Sequence, residues 1–221
     1  MSRLILLPGL GADERMFSNL GLADLPLVTP RHIVPVKGED LPTYARRTAE
    51  HLGIGADDVV GGASFGSMVA AAIARQRSVR ALVLIGGALS ASGLLQVPGS
   101  GMVSQLPALF LRPLLRSDRV LKLVFAPESA EMHRLARMML AEAPDDLLLY
   151  GGLMLCRYRT DEKVSCPVFA IHGGRDPVMT PPLAPGLRLL PEAGHGIAWT
   201  HGAEVGTFLR EAWAESWNAP P

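Results

Sequence analysis

The sequence has little cysteine, no excess of either charge and no long hydrophobic run, and each shortage excludes a class of protein. Cys156 and Cys166 are the only two cysteines; they show no zinc-type pairing with histidines and are too few for a disulfide framework, so a reducing compartment is expected. Lys+Arg and Asp+Glu balance at 21 each, which leaves no basic field to hold nucleic acid or an anionic membrane surface. The apolar run from Leu4 to Leu7 is cut by Pro8 and Gly9, too early for a signal-peptide core or a spanning helix. The expectation is a soluble cytoplasmic protein with no nucleic-acid or membrane partner and a neutral or mixed small-molecule substrate.

What is present is apolar and regularly ordered. With 48% hydrophobic residues in 221, the chain can fill the core of one domain, or of one domain carrying a modest insertion. Leu4 to Leu7 and Ala81 to Ile85 are wholly apolar and stop at glycine or proline, the pattern of strands covered on both faces. The first loop leads into a helix near Glu14. A second strand is expected around Arg31 to Val36, between prolines. Asp40 then caps a helix with Pro42 in its first turn and Leu41, Tyr44, Ala45, Thr48, Ala49 and Leu52 on one face, ending at Gly53. Val59 and Val60 lead through glycines to Ser64, and Met68 to Ala74 is apolar all round, as in a central buried helix. Val164 to His172 and Gly186 to Leu190 supply two more strands before a closing helix from about His201 to Trp217. This alternation predicts an α/β fold with a doubly wound, mostly parallel sheet and an active site outside the carboxyl ends of its strands.

Residues 91–160 break the rhythm with a Gly/Ser/Pro-rich stretch to Ser104, then helical segments. They read as a helical cap inserted between core segments 1–90 and 161–221. Met132, Leu135, Met139 and Leu140 form an apolar stripe at helical spacing, suited to packing cap on core or to lining an acyl pocket.

Gly62-Ala63-Ser64-Phe65-Gly66 fits the G-x-S-x-G elbow, in which a sharp strand-to-helix turn lifts the serine hydroxyl clear of the sheet. The two glycines let strand and helix approach closely around a strained serine. Ser64 also sits at a helix N-terminus, where unpaired N–H groups favour a developing anion. Asp176, beside Gly and Pro, is on its own terms a turn residue. His195 lies between glycines; His32, His51, His133 and His201 read as surface groups, and His172 as a structural residue ending a strand.

Taken in order, these segments resemble the α/β-hydrolase family over nearly the whole chain outside the cap. Leu4 to Ala12 is similar to that family's strand and oxyanion loop, Phe169 to Pro177 to its late strand and acid turn, and Glu192 to Trp199 to its histidine loop. The resemblance implies Ser64 as nucleophile, His195 as base and Asp176 as the acid that orients it. It also implies an oxyanion hole built from the Leu10 and Phe65 backbone N–H groups, with no cofactor and no metal. Serine needs a neutral imidazole to take its proton, and the carboxylate fixes the tautomer of that ring. The order Ser, Asp, His matches the hydrolase arrangement. Two departures stand out: Pro8 occupies a position where many members carry histidine, and the fold reads as shortened at its N-terminus. The implied activity is that of a carboxylesterase-like serine hydrolase acting on a small-molecule ester through an acyl-Ser64 intermediate. Thioester hydrolysis, C–C bond hydrolysis and perhydrolysis use the same triad, and a non-catalytic ligand-binding homologue keeps the same fold. Neither acyl-chain length nor oligomeric state is written in the sequence.

Overall fold

A computed structural model gives the fold, with residues 2–94, 117, 118, 121 and 130–218 described. Six strands, β1 (Leu4–Leu7), β2 (Leu27–Val28), β3 (Val59–Ala63), β4 (Ala81–Ile85), β5 (Val168–Gly173) and β6 (Arg188–Leu190), form one sheet in the order β2-β1-β3-β4-β5-β6. Every neighbouring pair is parallel. Side chains alternate across the sheet, so each continuous apolar run feeds two cores. Ile5, Leu7, Leu82 and Leu84 pack on one face with helices α1 (Leu41–His51) and α2 (Phe65–Gln76). Leu4, Leu6, Val83 and Ile85 pack on the other with residues of the closing helix such as Val205 and Leu209. Strands buried on both faces need no polar alternation, which is why the runs read as uninterrupted hydrophobes.

The first helix follows the sequence expectation closely. The Asp40 carboxylate accepts the Thr43 N–H at 2.9 Å, Pro42 lies in the first turn, and Gly53, at φ +58°, follows the last turn. The second strand differs from expectation: it is Leu27–Val28, paired with Leu4 and Ile5, and Arg31 to Val36 is irregular. Pro30 and Pro35 cannot donate to a ladder, and Val34 and Val36 are exposed at 50% and 56%, so the segment does not pair with the sheet and is held by side-chain contacts of His32 and Tyr44. The helix expected near Glu14 is a single 3₁₀ turn, Glu14–Phe17.

Between β4 and β5 the described residues contain α3 (Ala130–Glu142) and a π-helical turn, Leu147–Gly151, that runs directly into α4 (Gly152–Arg157). Most of the expected Gly/Ser/Pro-rich entry to the cap lies outside the described residues. After β6 come α5 (Ile197–Thr200) and α6 (Gly202–Asn218). Among the described residues no helix is long and apolar enough to cross a membrane, and no cluster of His, Cys, Asp and Glu is arranged to hold a metal ion.

Candidate active site

The site forms where β1, β3 and β5 end. Ser64 links β3 to α2 at φ 53° and ψ −117° and is the only non-glycine residue at positive φ among those described. Such a conformation costs on the order of 1–3 kcal/mol and persists only where its surroundings enforce it. Here they do: Ser64 N–H donates to the Ile85 carbonyl at 3.2 Å, and the Ser64 carbonyl accepts from the Ser67 N–H at 3.1 Å and its hydroxyl at 2.6 Å. The flanking glycines are required sterically. A Cβ on Gly66 would stand 2.1 Å from the Leu7 carbonyl oxygen and 2.4 Å from that of Pro8; one on Gly62 would stand 2.5 Å from Leu7 O. Because these neighbours are backbone, they cannot step aside. Gly66→Ala is therefore expected to lower unfolding free energy by about 3 kcal/mol, read from the midpoint of urea denaturation.

Asp176 leaves the end of β5 through Gly173 and Gly174, whose absent side chains let this turn press against the histidine loop; a Cβ on Gly173 would meet the Gly194 carbonyl at 2.1 Å. One Asp176 oxygen, Oδ1, accepts the Val178 and Met179 N–H groups at 2.7 and 2.9 Å. The other, Oδ2, lies 2.7 Å from His195 Nδ1 and 3.2 Å from His172 Nε2. Burial pushes the carboxyl pKa up, but the hydrogen bonds from His172 and His195 and from the Met179 amide outweigh it and hold the group well below the usual carboxylate range. Asp176 is thus an anion whose acceptor sites are all directed.

A carboxylate accepts only, so the His195 proton sits on Nδ1. Nε2 is left as a lone pair facing the Ser64 hydroxyl, 2.8 Å away. The structure therefore brings Ser64, His195 and Asp176 into one hydrogen-bonded chain, with both His195 and Asp176 only 8% exposed. His172, fully buried, donates from Nε2 to the Met179 carbonyl at 3.0 Å, and its Nδ1 is buried without a partner among the described residues.

The Phe65 N–H opens α2, where no carbonyl lies four residues back in the helix. The Leu10 N–H donates to no acceptor among the described residues. Phe65 follows Ser64 in the chain, and Leu10 lines, with Ser64, a cavity of about 210 Å³ whose walls also include Met16, Met132, Met139 and Trp199. Ser64 and His195 reach it, and no Asp, Glu, Lys or Arg is among its described lining residues. Three of the four stripe residues, Met132, Met139 and Leu140, line this cavity, and Leu135 packs with Met139 on the sheet core.

His32 corrects the surface reading. Its Nε2 lies 2.8 Å from the Pro8 carbonyl, the Tyr44 hydroxyl is 3.2 Å from Nδ1, and desolvation pushes the ring down to about 4. His51 is exposed, and His133 and His201 are half-buried. Met16, which the sequence does not single out, accepts the Gly9 N–H on its sulfur at 3.2 Å. No local pattern marks either residue, because each contact is made to a backbone group of the loop after β1, seven residues away for Met16 and 24 for His32.

No protein-family model matches the chain, and no curated protein does. Solved structures do. A thermophilic esterase from Thermogutta terrifontis superposes with a TM-score of 0.78 at 18% identity, covering 98% of this chain and 90% of the other. An enol-lactonase from Burkholderia xenovorans LB400 gives 0.73 at 15% identity, covering 99% and 92%. A carboxylesterase structure from the ammonia-oxidizing thaumarchaeon Nitrososphaera gargenis gives 0.72 at 17% identity, covering 98% and 91%. This chain adopts the α/β-hydrolase fold along almost its whole length. At these identities the likeness speaks for architecture alone.

Proposed function

We propose that this protein is a serine hydrolase that cleaves carboxylic esters of small to medium size, with residues 91–160 acting as a cap over its active site. The observation that carries the reading is the chain Asp176–His195–Ser64, with contacts of 2.7 and 2.8 Å, opening on an apolar cavity. Ser64 Oγ attacks the ester carbonyl carbon as its proton passes to His195 Nε2. Negative charge then gathers on the carbonyl oxygen, where the Leu10 and Phe65 N–H groups donate to it. Donors that meet charge only as it develops stabilise the transition state above the ground state, each worth about 3 kcal/mol. Collapse breaks the C–O bond, and the leaving alcohol takes the proton from His195. Water then repeats the sequence on the acyl-serine, returning the free hydroxyl and releasing the acid.

A fluorophosphonate tests the nucleophile directly. One phosphonyl group is expected on Ser64, found by peptide mass spectrometry, with loss of p-nitrophenyl butyrate hydrolysis in proportion to labelling; an unlabelled, folded protein refutes the reading. The cavity adds a prediction about specificity. Because no ionised side chain among the described lining residues compensates a buried charge, p-nitrophenyl butyrate is expected to exceed the singly charged p-nitrophenyl hemisuccinate in kcat/KM by about 100-fold. Comparable values for the two esters contradict an apolar acyl site.

A further inference from the structure

A peptide unit is planar, with its C=O and N–H at opposite edges, so gripping both edges fixes the rotation of that plane and constrains the amide that follows. The Pro8–Gly9 peptide is gripped in this way by two side chains. Its carbonyl accepts from His32 Nε2–H at 2.8 Å, and its N–H donates to Met16 Sδ at 3.2 Å. The sheet cannot provide this hold, since β1 ends at Leu7. The next N–H along the chain is that of Leu10.

The loop needs holding. Gly9 and Gly11 flank Leu10, Gly11 at φ +72°, and glycine leaves the backbone free to rotate. The Gly9 position also runs close to the nucleophile, within 3.6 Å of Ser64 Cβ measured from an ideal Cβ. His32 is itself held: the single Tyr44 hydroxyl proton is shared between two acceptors, the Ile33 carbonyl at 2.9 Å and His32 Nδ1 at 3.2 Å. Its ring packs 5.2 Å from that of Phe65, centroid to centroid, so the side chain that bonds the Pro8 carbonyl also packs on the side chain of the residue after Ser64. A carbonyl partner requires the proton on Nε2. Burial keeps the ring neutral down to about pH 4.

We propose that His32 and Met16 are positioning residues that clamp the Pro8–Gly9 peptide and so aim the Leu10 N–H at the oxyanion formed when Ser64 attacks. The inference rests on the ester-hydrolase reading above. The clamp acts on the transition state, so its loss lowers kcat and leaves KM nearly unchanged.

The test uses the full chain, with active sites counted by fluorophosphonate titration and with a trifluoromethyl ketone as a reversible tetrahedral mimic. His32→Phe keeps a ring and removes the donor; kcat per titrated site is expected to fall about 10- to 100-fold, with KM within about twofold. The ketone's Ki weakens by the same factor as kcat/KM. His32→Gln restores a donor without a basic ring and recovers kcat to within about fivefold of wild type. Met16→Leu conserves volume but removes the sulfur acceptor, and costs about 3- to 10-fold in kcat. A merely structural role predicts lowered Tm for these variants with kcat per titrated site and ketone affinity unchanged, and that result overturns the clamp. If His32→Phe does not fold, His32→Leu, which also lacks the donor, takes its place, and wild-type kcat and Ki in both His32→Leu and Met16→Leu overturn it. Wild-type protein that neither turns over esters nor takes the label sinks the hydrolase reading and the clamp together; an active wild type with unaffected variants sinks the clamp alone.

Discussion

Ser64→Ala is expected to lower kcat for p-nitrophenyl butyrate by about 10⁴- to 10⁶-fold while leaving the fold intact. On the proposed reading the hydroxyl forms the acyl bond; it lies 2.8 Å from His195 Nε2, and among the described residues no other serine is hydrogen-bonded to His195. Removing it leaves the proposed oxyanion donors and the cavity, which by themselves retain only a small part of the acceleration. Stability should move the other way or not at all. Alanine needs the same positive φ as Ser64 (53°) but gives up only one hydroxyl hydrogen bond. Steady-state rates together with a thermal melt separate the two quantities, and residual turnover above a tenth of wild type would mean that another group is the nucleophile.

Asp176→Asn is expected to lower kcat by about 10⁴-fold, for a reason visible in its four contacts. The carboxylate accepts from Val178 and Met179 N–H on Oδ1 and faces His195 and His172 on Oδ2. An asparagine keeping its oxygen on the two backbone donors turns its NH₂ toward both histidines. His195 Nδ1 must then accept, its proton moves to Nε2, and that nitrogen donates to Ser64 Oγ when it should accept. The pH dependence of stability gives an independent check. Because the folded-state carboxyl pKa is held below its ordinary value, Asp176 contributes stability above the unfolded pKa of about 4, and that contribution is lost as pH falls toward the folded value. Urea midpoints for wild type and Asp176→Asn are therefore expected to differ most near neutrality and to converge in acid. A constant difference from pH 7 to pH 3 contradicts the assignment of an ionised, stabilising carboxylate.

Much of the fold was legible because periodicity and punctuation carry it. β1, β4 and α2 were plain from apolar runs bounded by glycine and proline, and Asp40 announced α1 through its cap. The strand after the first loop was not, because Leu27–Val28 is two residues long and owes its place to β1 beside it, while the longer stretch to Val36 pairs with no strand. At the site, Gly62, Ser64 and Gly66 could be read together, since the elbow is a local steric device. His32 and Met16 could not, since their roles exist only where a loop from one part of the chain folds back on them.

The sequence by itself determined the order of strands and helices and the residues of the elbow, because these depend on side-chain size, polarity and spacing along the chain, whereas Asp176 and His195 could be picked out only through the resemblance to the α/β-hydrolase family. Only the tertiary structure decided that Asp176 Oδ2 takes two histidines, that the Pro8–Gly9 peptide is held by two side chains, and that the cavity over Ser64 is apolar. Those features are set by directions and distances between segments far apart in sequence, where hydrogen bonds act over about 3 Å and their angles decide which atom donates.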